Sequence, residues 1–213
     1  MKRTDIINHL FDKKIGYKGS YLEIGLNQPG DNYYNIKCAH KDCVDPMVDG
    51  NTPDFVEGEE ARRYVIKNVI TYRMTSDEFF DQTQNMYDVI LIDGLHIAEQ
   101  TAKDIVNAYK HLKKGGYIVI HDCIPGEEAS QVVPRAQIYW NGNVWKAIPN
   151  LYKAGIDFVV VNTDEGCGII KENGEKDFKN YTVSNLEYNE VFSNQKIRDS
   201  IMHVISEEEF LKM

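Results

Sequence analysis

The sequence predicts an α/β fold, a doubly wound and mostly parallel sheet with an antiparallel hairpin near its C-terminal end. Short apolar runs alternate with amphipathic stretches along the 213 residues, which is typical of strands joined by helices. The clearest run, 89–92, is apolar at every position, as in a strand that is covered on both faces. Only residues 162–167 separate the last two apolar runs, so we expect these strands to form the hairpin.

Helix caps and chain breakers predict the elements of the first half of the chain. Thr4 and Ser76 each precede apolar residues at helical spacing and are predicted N-caps. Gly25 and Pro46 each follow an apolar run and end it. In chain order we expect a helix from residue 4, strands at 21–24 and 41–45, a helix at 59–66, a strand at 70–74 and a helix from residue 76. The polar residues 47–58 are expected to form an ordered loop or a lid.

The second half continues the alternation. A helix is expected from 97 to 112, and the cations and glycines of 113–116 would end it, as helix C-termini prefer. A short helix at 144–154 would be interrupted near Pro149. The predicted strands lie at 87–92, 117–120, 158–161 and 168–170. Residues 1–175 form one predicted domain.

The last segment, 176–213, is predicted to be a helical tail. Its helix would run over 188–213 and bury an apolar face against the domain or against a partner, and a homodimer is one such arrangement. The apolar face consists of Ile197, Ile201, Val204 and Ile205.

Charge and composition exclude several classes of function. The 24 Lys and Arg against 33 Asp and Glu give a net charge of −9, which repels phosphate backbones, so a nucleic-acid partner is not expected. No apolar run approaches the ~20 residues that span a bilayer, so no membrane segment is expected. The four cysteines show no metal-knuckle spacing and no export signal opens the sequence. We therefore expect free thiols and a cytoplasmic protein.

Polar residues collect where the predicted strands end, which is where open α/β sheets bind ligands. Gly25 and Asp45 follow the first two strands and are 20 residues apart, a distance that suits an acid on ribose hydroxyls. That spacing fits NAD and S-adenosylmethionine alike. The loop from Gly25 to Gly30 lacks the second glycine of a dinucleotide fingerprint, and Glu23 adds a negative charge where a phosphate would lie. S-adenosylmethionine carries cationic groups in place of the phosphate, so the acid favours this cofactor. The alternative is that Gly25 and Asp45 only form turns.

Six segments in this order resemble the class I S-adenosylmethionine-dependent methyltransferases, in the branch with an Asp-Gly-x-His motif after the fourth strand. The resemblance covers about residues 4–171 and implies a seven-stranded Rossmann-like sheet. A second glycine in the first loop, found in many members, is missing here. The matching segments are YLEIG at 21–25, VDP at 44–46, TSDEFF at 75–80, DVILIDGLH at 88–96, KKGGYIVIHDC at 113–123 and NGNVWKA at 141–147.

The resemblance also implies roles for individual residues in cofactor binding. Glu23 and Gly25 would line the methionine end of the cofactor, with Asp93 close by. Asp45 would hold the ribose hydroxyls. Ser76 and Asp77 would lie near the adenine, although the same two residues also suit a plain helix N-terminus.

His96 is the natural general base for methyl transfer to an oxygen. It follows Asp93 by three residues, and its reference pKa of ~6.5 allows a neutral imidazole at pH 7. A histidine that only caps the following helix is the alternative. Asp93 and Asp122 would end adjacent strands and form a candidate Mg²⁺ site, as in the similar catechol-type enzymes. Cys123 stands where those enzymes have an Asn ligand, and without a metal Asp93 would orient His96 or hold the acceptor hydroxyl.

The resemblance further implies that the acceptor is a small molecule or a glycan that is methylated on a hydroxyl. Tyr139, Trp140 and Trp145 follow the fifth strand, where aromatic faces suit such an acceptor, and Arg135 is a nearby cation for an acidic group. Two alternatives stay open at this point. One is a non-catalytic nucleoside-binding protein of the same fold, and the other is an NAD(P)-dependent oxidoreductase.

Overall fold

A computed structural model describes residues 1–46 and 69–213, and in these residues the expected α/β fold is confirmed. They form a seven-stranded sheet in the order β2-β1-β3-β4-β6-β5-β7, in which only β6 runs antiparallel to the other strands. The strands are β1 (Ser20–Ile24), β2 (His40–Val44), β3 (Tyr87–Ile92), β4 (Leu112–Ile120), β5 (Phe158–Val161), β6 (Cys167–Lys171) and β7 (Val204–Ile205).

The order of the strands places a topological switch point at the end of β1. From β1 the chain first adds β2 on one side and later adds β3 on the other. The last residue of β1, Ile24, lies opposite Val44 of β2 and Ile92 of β3, so the three strands end level with one another. Loops leave this point in opposite directions and open a crevice for a ligand.

Helices cover both faces of the sheet. Alternate residues of the central strands point to opposite faces, so Ile90 packs towards α3 while Leu91 packs towards α1. The second layer of the core also takes in Phe210 from the last helix. The α-helices are α1 (Arg3–Leu10), α2 (Ser76–Gln82), α3 (Ala98–Lys110), α4 (Tyr188–Phe192), α5 (Gln195–Ile201) and α6 (Glu207–Lys212).

Both predicted helix caps are wrong by one or two residues. Helix α1 begins at Arg3, and its N-cap is Lys2, whose backbone N–H donates to the Asp5 carboxylate. The Thr4 hydroxyl lies inside the helix and donates to Asn32 Oδ1 at 2.8 Å. Helix α2 is capped by Thr75, because this side chain accepts from the Glu78 N–H and so completes a capping box. Ser76 is the first helical residue.

Three local predictions need correction. The strand expected at 70–74 is reduced to an isolated bridge between Tyr72 and Val44. Residues 113–116 do not end a helix but lie within β4, where the register with β3 shifts between Leu112 and Tyr117. The helix expected at 144–154 is two separate 3-10 turns, Val144–Ala147 and Leu151–Ala154, with Pro149 between them. The helix predicted at 59–66 and the lid at 47–58 lie outside the described residues.

The tail is not the single helix that its periodicity predicts. Helices α4 and α5 are followed by β7, and there Val204 and Ile205 pair with Val160 and Val161 of β5. β7 pairs with backbone groups of β5 that would otherwise be left unpaired at the edge of the sheet. No helix among the described residues is long and apolar enough to cross a membrane.

Candidate active site

Two adjoining cavities lie over the carboxyl ends of β1, β2, β3 and β4. The larger cavity has a volume of about 450 Å³ and the smaller about 410 Å³. Gly25, Asp45 and Gly94 line both, so the two cavities meet at the switch point of the sheet. The arrangement is an elongated binding site with one acid at its middle.

The loop after β1 shapes the junction of the two cavities. Gly25 has a φ of 86°, and a Cβ built on it would lie 2.1 Å from the carbonyl oxygen of Asp93. Only glycine permits this close approach of two strand ends. The Leu26 N–H donates to the Asp45 carboxylate at 2.9 Å, which fixes the acid at the centre of the site. The structure thus brings together the glycine and the acid that the sequence singled out.

Glu23 lies behind this loop and is not among the residues that line either cavity. Its side chain is buried, with 4% of the residue exposed, and it accepts hydrogen bonds from the Tyr21 hydroxyl and the Asn32 amide. Burial raises its pKa to about 7, although these two hydrogen bonds act in the opposite direction. The described contacts of Glu23 are therefore structural ones beneath the site.

The smaller cavity is lined by polar groups from α2 and α3. Gln100 donates to Ser76 Oγ at 3.2 Å, to Asp77 Oδ1 at 3.0 Å and to Asp104 Oδ1 at 3.1 Å. Asp104 is 2% exposed, and burial raises the pKa of this carboxyl to about 6. The sequence predicted Ser76 and Asp77 but missed the other two, because an acid and an amide one turn apart on a helix resemble solvent-exposed residues.

His96 lies in the larger cavity between two carboxylates. Its Nε2 is 3.3 Å from Asp93 Oδ1, and its Nδ1 is 3.2 Å from Asp122 Oδ2 and from the Trp140 carbonyl oxygen. The imidazole also stacks on the Trp140 ring with centroids 5.5 Å apart. Burial favours the neutral ring, but the two carboxylates outweigh it, so the pKa of His96 is raised.

The backbone around His96 is strained and closely supported. His96 and Asp122 have φ values of 58° and 62°, in the left-handed region that non-glycine residues rarely occupy. Gly142 packs directly on His96, because a Cβ built there would lie 1.8 Å from the His96 carbonyl oxygen. Such strain persists only where the surroundings hold it, and it is typical of functional sites.

A second histidine, His121, is buried and links the acids into one network. His121 Nδ1 lies 3.5 Å from Asp93 and 3.2 Å from Asp122, and its Nε2 lies 3.4 Å from Asp164. Burial opposes a charge on this ring, but the surrounding carboxylates raise the pKa of His121 well above its ordinary value. In the same way the two histidines hold the pKa of Asp93 well below its usual range, against the effect of burial.

The hairpin turn between β5 and β6 completes one wall of the larger cavity. Asp164 and Glu165 lie in this turn, and the buried Asn141 amide donates to both Asp122 and Glu165. Burial and the nearby Asp122 raise the pKa of Glu165. Sequence reasoning missed these residues, because acids in a short turn are ordinary and their distance from Asp93 in the chain gives no signal.

The groups around Asp93 and Asp122 do not match what Mg²⁺ prefers. One ligand atom from each of Asp93, His96 and Asp122 lies within 4.8 Å of the others, but one of the three is an imidazole nitrogen. His121 and Arg3 also contact Asp93, at 3.5 Å each. Mg²⁺ prefers an octahedral shell of oxygen ligands, and here one donor is a nitrogen and the carboxylates are already paired with basic side chains. The donor set suits an imidazole-binding ion better than Mg²⁺.

The aromatic residues expected at the acceptor side have different locations. Trp140 lines the larger cavity together with Ile138 and Arg135. Tyr139 is exposed but is not among the lining residues. Trp145 is fully buried in the core, where its ring packs against Phe192, so the prediction that it faces the acceptor is wrong.

Comparisons with known proteins find similarity in the domain and in the fold. Residues 25–123 match a family model described as a methyltransferase domain. The fold is similar to a solved protein from Corynebacterium glutamicum, with 13% identity, 82% of each chain covered and a TM-score of 0.54. It is also similar to the cofactor-bound Rv0187 from MTB, with 13% identity, 82% of each chain covered and a TM-score of 0.52. A search of curated sequences found no significant match.

Proposed function

We propose that this chain is a class I S-adenosylmethionine-dependent methyltransferase that methylates a hydroxyl of a small molecule or sugar. His96 is the general base in this proposal. The main support for the proposed function is the pair of cavities that meet at Asp45. His96 and Asp93 line one of them, and Ser76 and Asp77 line the other.

The cofactor fits this arrangement by its chemistry. Asp45 would accept from the ribose hydroxyls, and the adenine would occupy the smaller cavity between α2 and α3. The methionine end would then lie in the larger cavity, where the carboxylates of Asp93 and Asp122 favour a sulfonium and an ammonium group. The loop from Gly25 to Gly30 lacks the second glycine that lets a dinucleotide pyrophosphate approach the backbone, which argues against NAD(P).

Methyl transfer is an in-line displacement that needs a positioned acceptor and a base. His96 Nε2 accepts the hydrogen bond of the acceptor hydroxyl and takes its proton. S-adenosylmethionine, when bound, would supply the methyl group to the acceptor oxygen and leave as S-adenosylhomocysteine. Asp122 and the Trp140 carbonyl accept from Nδ1–H, so the nitrogen that takes the proton is Nε2.

The alternative assignment of Asp93 and Asp122 is a Mg²⁺ site. His96, His121 and Arg3 already contact the carboxylate oxygens that would have to bind this ion, so the proposed reaction does not use it. Asp93 Oδ1, which lies 3.3 Å from Nε2, instead accepts from the Nε2–H that forms when His96 takes the proton.

The proposal is tested with S-adenosylmethionine labelled in its methyl group and a panel of phenolic and sugar acceptors. We expect the wild-type chain to label at least one hydroxyl acceptor. His96→Asn should lower turnover by about 10²–10⁴-fold, the usual contribution of a general base, while S-adenosylhomocysteine still binds. His40→Asn is the matched control, because His40 is an exposed histidine outside the site.

Two results would contradict the proposal. If His96→Asn keeps its turnover, His96 is not the base. If S-adenosylhomocysteine binds but the wild-type chain methylates no acceptor in the panel, a non-catalytic nucleoside-binding protein is favoured.

A further inference from the structure

Arg3 is a basic residue that α1 brings into the larger cavity from the far N-terminal end of the chain. It lines this cavity together with Asp93, His96 and His121. Arg3 lies outside residues 25–123, the part of the chain that matches the methyltransferase domain. No motif in the sequence connects it with the site.

The guanidinium of Arg3 joins two acids that belong to different loops. Its Nη1 donates to Asp164 Oδ2 at 3.1 Å, and its backbone N–H donates to the same oxygen at 2.8 Å. Its Nε is buried, makes no hydrogen bond within the described residues and lies 3.5 Å from Asp93 Oδ2. A small movement of Asp93 would complete that bond.

This contact leaves the two oxygens of Asp93 with different partners. Oδ2 faces Arg3, while Oδ1 faces the Nε2 of His96 at 3.3 Å. The ion pair at Oδ2 disfavours rotation of the carboxylate, so Oδ1 keeps its direction towards His96. His121 lies between Asp93 and Asp164 and shares both acids with Arg3, which ties the imidazole into the same arrangement.

We propose that Arg3 is a positioning residue, which holds Asp93 and His121 so that Asp93 Oδ1 stays directed at His96. Helix α1 is in this view part of the catalytic apparatus and not only a cover for the sheet. The effect of Arg3 on turnover rests on the proposed function, whereas its effect on the two histidines does not.

The test compares Arg3→Ala and Arg3→Lys with Asn8→Ala. Asn8 is the matched control, because it anchors the same helix through bonds to the Asn35 carbonyl and the Lys37 N–H, away from the site. Rates are expressed per S-adenosylhomocysteine-binding site, so that loss of folded protein does not count as loss of catalysis.

We expect Arg3→Ala to lower kcat roughly 10–100-fold, the scale on which misplaced catalytic groups act. KM for S-adenosylmethionine should stay within roughly two-fold, as for an interaction made only in the transition state. Ethylguanidine should restore part of the lost rate in Arg3→Ala. Arg3→Lys should stay impaired, because an ammonium group cannot bridge two carboxylates as a guanidinium does. Asn8→Ala should keep the wild-type kcat.

Imidazole ¹⁵N spectra supply a readout that does not depend on turnover. The ring signals of His96 should shift in Arg3→Ala and stay in place in Asn8→Ala. His96 is the diagnostic ring, because His121 lies 3.2 Å from Arg3 Nη1 and loses a direct contact in Arg3→Ala. Unchanged ring signals, or a wild-type kcat in Arg3→Ala, would overturn the positioning role. If the wild-type chain transfers no methyl group but the ring signals shift, the proposed function fails and the positioning of the histidines stands.

Discussion

Glu23→Gln is expected to stabilise the protein at alkaline pH and to have little effect at acidic pH. Glu23 is a buried carboxyl whose partners, the Tyr21 hydroxyl and the Asn32 amide, both donate hydrogen bonds. A glutamine carbonyl accepts the same two bonds without a charge. The substitution therefore removes the cost of burying the charge and keeps the geometry.

The size of the effect follows from the pKa of Glu23, which burial raises from 4.5 to about 7. Between these two values the folded chain holds a proton that the unfolded chain has released. The free energy of unfolding must therefore fall as the pH rises from about 4.5 to about 7, and the loss stays in place above that window. At roughly 1.4 kcal/mol per pH unit, the difference amounts to about 3 kcal/mol.

Urea unfolding at pH 5 and pH 8 measures this effect directly. The stability of Glu23→Gln should exceed that of the wild-type chain by about 3 kcal/mol at pH 8, and the two should converge at pH 5. Glu175→Gln, a substitution at an exposed glutamate, should change the stability at neither pH. A stability curve of Glu23→Gln that parallels that of the wild-type chain from pH 5 to pH 8 would refute the reasoning.

Three further predictions concern the site. First, kcat/KM should rise with pH through the raised pKa of His96, because only the neutral ring accepts a proton. Asp122→Asn should move this rise to lower pH, because the Asp122 carboxylate helps to raise that pKa. A pH profile that does not move would contradict the assignment of His96. Second, Asp45→Ala should weaken S-adenosylhomocysteine binding about 10–100-fold in calorimetry, since a charged hydrogen-bond partner is lost. Third, turnover should survive EDTA; a loss that added Mg²⁺ reverses would show that the Mg²⁺ assignment was correct.

The sequence predicts the central part of the fold well, because that part depends on local signals. The run at 87–92 and the endings at Gly25 and Asp93 place three parallel strands and the switch point between them. The register shift at 113–116 was not predictable in this way. Lys113 to Gly116 carry the signature of a helix end, and only the pairing of β4 with β3 accommodates them within a strand.

The candidate site was predicted where it follows the strands and missed where it comes from distant segments. Asp45, Asp93, His96 and Asp122 each come directly after a strand or within a few residues of its end, so fold class alone groups them. Arg3, Asn141, Asp164 and Glu165 reach the site from a helix, a loop and a hairpin turn. Their roles depend on tertiary packing, which periodicity and spacing do not encode.

The central claim is that the two adjoining cavities bind the cofactor of a methyltransferase. Thermal unfolding of the wild-type chain with S-adenosylhomocysteine, and separately with NAD, tests it most directly. A ligand at ~100 times its Kd adds ~2.7 kcal/mol to the free energy of unfolding, which shifts Tm by several degrees for a chain of this size. We predict a shift with S-adenosylhomocysteine and none with NAD, whereas a shift with NAD alone would contradict the account.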